Sequence, residues 1–138
     1  VRSDSPCRVP ALALLEAQAA VGGRAFAWQL DCYATVFGGR LGACHGLDVP
    51  LVLGAPQARR MLGPEPSREA RELSRRTRTA WLRFAVTGDP GRPAYRARDT
   101  TVQVLDRYDT LVQDPVRPAR ELWMGPGLKV LGLHSATA

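Results

Sequence analysis

A histidine set among small residues, Gly42-Ala43-Cys44-His45-Gly46, is the stretch of this chain best equipped for chemistry. A free imidazole titrates at about 6.5, so it can both accept and return a proton near neutral pH. Gly42, Ala43 and Gly46 leave the backbone room to turn sharply around it. An acidic-Pro-apolar run, Asp48-Val49-Pro50-Leu51-Val52-Leu53, follows at once. Asp48-Val49-Pro50 predicts a helix N-cap with a proline early in the helix, which assigns Asp48 to capping rather than to orienting His45. On residue type alone, a loop histidine more often hydrogen-bonds a carbonyl than performs catalysis, so the surrounding pattern has to decide.

The partners such a base would need are missing. Serines stand at positions 3, 5, 67, 74 and 135, and none lies in a Gly-x-Ser-x-Gly turn. Cys44 is no evident substitute: neighbouring loop residues rarely point at one another, and a base needs a hydrogen-bond reach of ~3 Å. The three cysteines, Cys7, Cys32 and Cys44, fit no metal-ligand spacing. Cys32 and Cys44 bracket the loop that leads to His45. A disulfide between them is geometrically conceivable, and a free, half-buried Cys44 is the alternative. His134 falls in a polar tail and reads as an exposed bystander.

Upstream of the histidine, Pro10 opens an apolar-rich helix that Gly22-Gly23 should stop. Arg24 to Asp31 alternates, with Phe26, Trp28 and Leu30 on one face, which is a strand signal. The clearest element is a helix capped by Ser67 and running to about Thr87, ended by Gly88-Asp89-Pro90. Ala70, Leu73, Thr77, Ala80, Trp81, Phe84 and Ala85 form its apolar face, with Glu72 and Arg76 at i,i+4 spacing on the other. Trp81 and Phe84 sit at core spacing; the functional alternative is a place lining an acyl pocket. Thr101–Leu105 and Leu111–Gln113 predict a pair of short strands, Arg117–Trp123 a closing helix, and Gly125-Pro126-Gly127 the start of a tail. The order implies an α/β chain.

Composition narrows the classes further. The 138 residues suit one domain, and no apolar run approaches the ~18 residues of a membrane span. No signal-peptide pattern opens the chain, and residue 1 is Val rather than Met, which reads as a cut or processed end. The net charge of +6 is almost wholly arginine, Lys129 being the sole lysine. An Arg/Ala/Gly/Pro-rich, lysine-poor composition fits a GC-rich coding sequence better than a nucleic-acid surface.

The histidine stretch Gly42–Gly54 resembles the catalytic-histidine loop of type-B carboxylesterases, the cholinesterase-like branch of the α/β-hydrolases. The resemblance extends to about Trp123. Val9-Pro10-Ala11-Leu12 with Leu15-Glu16-Ala17-Gln18 is similar to the family's helix before the last core strand. Ala27-Trp28-Gln29-Leu30-Asp31 resembles its Tyr-x-Tyr-x-Phe-Asp strand. Ala80-Trp81-Leu82-Arg83-Phe84-Ala85-Val86-Thr87-Gly88-Asp89-Pro90 resembles its Ala-Trp-x-x-Phe-Ala-x-Thr-Gly-x-Pro helix end. Pro93-Ala94-Tyr95 is similar to its Trp-Pro-x-Tyr turn, with Arg92 in place of the tryptophan.

The resemblance implies an α/β-hydrolase C-terminal fragment: the last core strand or strands, the catalytic-histidine loop, a long amphipathic helix and a small C-terminal β pair. Residues 1–124 would be this part of the domain and 125–138 a tail. It implies hydrolysis of a small-molecule carboxylic ester by a Ser-Glu/Asp-His triad, in which His45 is the general base, with no cofactor and no metal. The serine, the triad acid and most of the sheet would lie upstream, so the isolated chain is expected to be inactive. A truncated remnant or interaction module, docking a partner chain such as the missing N-terminal part, is the alternative. The compartment stays open between cytoplasmic and secreted.

Overall fold

In the computed structural model, which describes residues 7–54 and 58–124, the first helix begins where the polar lead ends. Helix α1 runs Val9–Ala20 with its proline in the first turn, and it stops at Val21 before Gly22, which adopts a φ of 76°. Strand β1, Trp28–Leu30, is shorter than the alternating segment that contains it. Pairing nonetheless continues past both ends. Gln103 N–H donates to the Ala27 carbonyl and Asp31 N–H to the Leu105 carbonyl, both at 3.0 Å.

β1 lies parallel to β2 (Thr101–Leu105), with Trp28 opposite Gln103 and Leu30 opposite Leu105. β2 in turn lies antiparallel to β3 (Thr110–Gln113), so one sheet has the order β1-β2-β3. The two C-terminal strands are therefore not a separate small pair. Val102, Val104 and Leu105 are buried, and a buried strand needs partners on both sides; β3, exposed along its length, forms the edge.

A parallel pair requires a long crossover. Here it is built from α2 (Asp48–Leu53), α3 (Ala58–Leu62) and α4 (Arg68–Thr87). The α4 helix starts where the Ser67 side chain accepts the Ala70 N–H at 3.1 Å and ends at Gly88 in the left-handed region. Ala70, Leu73, Thr77 and Ala80 are buried along it. Phe84 and Ala85, expected on the same buried face, are exposed; Phe84 meets the Phe26 ring edge to face at 5.8 Å. The i,i+4 pair is also replaced. Glu72 bonds Arg75 at 2.7 Å, while Arg76 reaches Asp109 (3.0 Å) and the Asp106 carbonyl (2.9 Å). A tie to the β2–β3 turn satisfies more acceptors than a local helix pair would.

The main core joins Ala34, Leu47, Leu51, Leu62, Ala70, Leu73 and Leu105. Each of its fully buried leucines contributes about 1.5–3 kcal/mol relative to exposure. On the opposite sheet face, Val102 and Val104 are covered from the side of Leu12 and Val116, and α5 (Arg117–Met124) packs against α1. Asp114, buried just before α5, accepts two hydrogen bonds from the Arg120 guanidinium, at 3.2 and 2.5 Å. Helices thus cover both faces of a sheet with a parallel pair, the α/β arrangement. Among the described residues no helix is long and apolar enough to cross a membrane. The expected tail from Gly125, including His134, lies outside them.

Candidate active site

The chain leaves β1 at Leu30 and makes a closed excursion before reaching the histidine. A short 3-10 turn at Val36–Gly39 carries Phe37, Gly38 and Gly39 at φ of 54°, 64° and 78°. The excursion is tied off at its base: Ala34 N–H donates to the Gly42 carbonyl and Thr35 N–H to the Met61 carbonyl, both at 3.0 Å. Phe37 is exposed and holds a conformation that side chains with a Cβ rarely adopt. The neighbouring glycines accept that conformation without penalty.

From Gly42 the backbone turns again. Leu47 N–H donates to the Cys44 carbonyl at 3.3 Å, closing a four-residue turn with His45 and Gly46 at its centre. Gly46 has φ of 80°, as the third position of a type II turn demands. The turn presents the His45 side chain to solvent, and among the described residues its ring makes no hydrogen bond or ion pair. Two residues on, Leu47 is fully buried and fixes the turn to the core. A packed floor thus carries an open imidazole, placed beyond the C-terminal end of a parallel strand. Ligands of α/β sheets bind at that end.

Asp48 does not cap α2. Leu47 occupies the N-cap position with helical angles, so the helix starts one residue early and Asp48 becomes its first residue. There it is an acidic residue in the first turn, a favourable place for negative charge. It makes no hydrogen bond to His45. Cys32 and Cys44 are free thiols, both half-buried. Burial, then the nearby Asp106, pushes the Cys32 thiol up, which disfavours the thiolate a nucleophile requires.

Trp81 and Phe84 are not brought to His45. With Arg24, Phe26, Trp28 and Arg92 they border an open cavity of about 220 Å³ at the start of β1, whereas His45 follows its end. Trp28 meets Trp81 edge to face at 4.8 Å. The sequence carried a signal for this cluster in the alternation of Phe26 with Trp28 and the three-residue spacing of Trp81 and Phe84. A second cavity, about 500 Å³, lies beside β1 and touches Leu12, Leu15, Trp28, Gln29 and Asp48.

No family model matches the chain. In an 85-residue alignment that covers 57% of this chain and 17% of the relative, it is 33% identical to the para-nitrobenzyl esterase of Bacillus subtilis (strain 168). A solved PNB esterase structure superposes with a TM-score of 0.71 at 29% identity, covering 81% of this chain and 24% of that one. A Geobacillus stearothermophilus carboxylesterase superposes over the same shares at 0.66 and 28% identity. An esterase from anaerobic Clostridium hathewayi, described as hydrolysing aliphatic aromatic polyesters, gives 0.72 at 19% identity and so supports the fold alone. The chain therefore spans about a quarter of the length of the structures it matches, and its relatives are type-B carboxylesterases of the α/β-hydrolase fold.

Proposed function

We propose that this relative of the type-B carboxylesterases supplies the general-base histidine, His45, of a serine esterase acting on small-molecule carboxylic esters. Residues 1–124 form the C-terminal part of its α/β-hydrolase domain and 125–138 a tail. The observation that carries the reading is His45 itself: an exposed imidazole, free of partners among the described residues, on a tight turn beyond the C-terminal end of β1.

In that reading a serine from the upstream sequence attacks the ester carbonyl while His45 takes its proton. Collapse of the tetrahedral intermediate expels the alcohol, which leaves with the proton His45 returns. Water then enters by the same route: His45 accepts its proton, and the serine is released with the acid product. An upstream carboxylate orients the ring. The chain alone holds one arm of this machinery and turns over no ester by the triad route.

The edge of β1 that is unpaired among the described residues, and the cavity beside it, favour a second reading, a non-catalytic module that docks the N-terminal part of the same fold as a separate chain. Hydrolysis of p-nitrophenyl acetate separates them. The esterase reading expects activity from a chain extended upstream to include an elbow serine, its loss on His45→Ala, and none from residues 1–138. Activity in the extended chain that survives His45→Ala overturns the assignment of the base.

A further inference from the structure

We draw no further inference here: the strongest candidate, the outer edge of β3, which is unpaired among the described residues and exposes Leu111 and Val112, carries nothing because nothing in the structure shows what covers it.

Discussion

At the C-terminal end of β1 the chain turns through glycines above fully buried aliphatic side chains. At the N-terminal end it runs between aromatic rings that leave a cavity open to solvent. The same helix serves both ends. The first half of α4 seals Leu73 into the core beneath the histidine turn, while its last turns leave Leu82 and Val86 at 67% and 84% exposure. Packing energy is therefore concentrated under the loop that carries the imidazole. The base role proposed for His45 requires a group held still relative to its substrate, and a rigid floor under a short turn does this with few residues. The aromatic end is held by edge-to-face ring contacts that leave space between them.

The largest expected effect tests the functional side of this contrast. In a complete, upstream-extended enzyme, His45→Ala should lower kcat by about ten-thousand-fold or more, as loss of a triad member does. Trp81→Phe, at the other end of the strand, should leave kcat essentially unchanged. Steady-state ester hydrolysis measures both, and a loss below about tenfold for His45→Ala would remove it from the mechanism.

The next effect tests where the packing lies. Leu73 is 1% exposed in the main core, so Leu73→Ala should cost about 2–5 kcal/mol of unfolding free energy in a urea titration. Leu82→Ala, nine residues along the same helix, should change it by no more than about 0.5 kcal/mol. Equal losses would mean that the two ends of α4 are packed alike.

That asymmetry explains which parts could be read from the residues. The α4 helix was legible from end to end because its cap, its 3.6-residue apolar period and its terminal glycine agree. The histidine loop was legible through its small residues and the motif around it. The exposure of Phe84 and Ala85 was not, since periodicity tells which residues share a face but not where the neighbouring sheet stops. Nor was the pairing of β1 with β2, whose strands stand some 70 residues apart and meet only after the helical crossover. Arg76 was misassigned for a related reason: spacing offers Glu72, whereas the fold brings Asp109 from the β2–β3 turn. The buried Arg92 Nη1, without a hydrogen-bond partner among the described residues, is a tertiary property, and only the replacement of an aromatic residue in the Trp-Pro-x-Tyr turn hinted at it.

A polar anchor on the other face of the sheet gives a smaller effect that depends on pH. Hydrogen bonds from Arg120, and the charges of Arg120 and Arg117, hold the Asp114 carboxyl below the usual carboxylate range. The unfolded group titrates at about 3.9. Its stabilising contribution is thus fully present above that value and is lost as pH falls through the lower folded pKa. Asp114 has φ of 45°, a conformation that asparagine also tolerates, so Asp114→Asn removes charge with little backbone penalty. The substitution should cost about 1–2 kcal/mol near neutral pH and flatten the acid limb of the stability curve. An acid limb as steep as the unsubstituted chain's would show that Asp114 is not the group responsible.

The smallest effects sharpen the comparison most, because they can be matched. Gly46 in the histidine turn and Gly88 at the end of α4 have φ of 80° and 70°. An added Cβ would meet only the Met61 Cε at 3.9 Å in the first case and nothing within 4 Å in the second. Neither site is crowded, so Gly46→Ala and Gly88→Ala should each cost only the left-handed backbone penalty, about 1–2 kcal/mol. Thermal or urea unfolding should fail to distinguish them. Function should separate them in the complete enzyme: Gly46→Ala strains the turn that aims the imidazole and should lower kcat, and Gly88→Ala, at the aromatic end, should not. If kcat falls equally in both, the loss reflects stability alone, and the histidine turn has no special demand on its geometry.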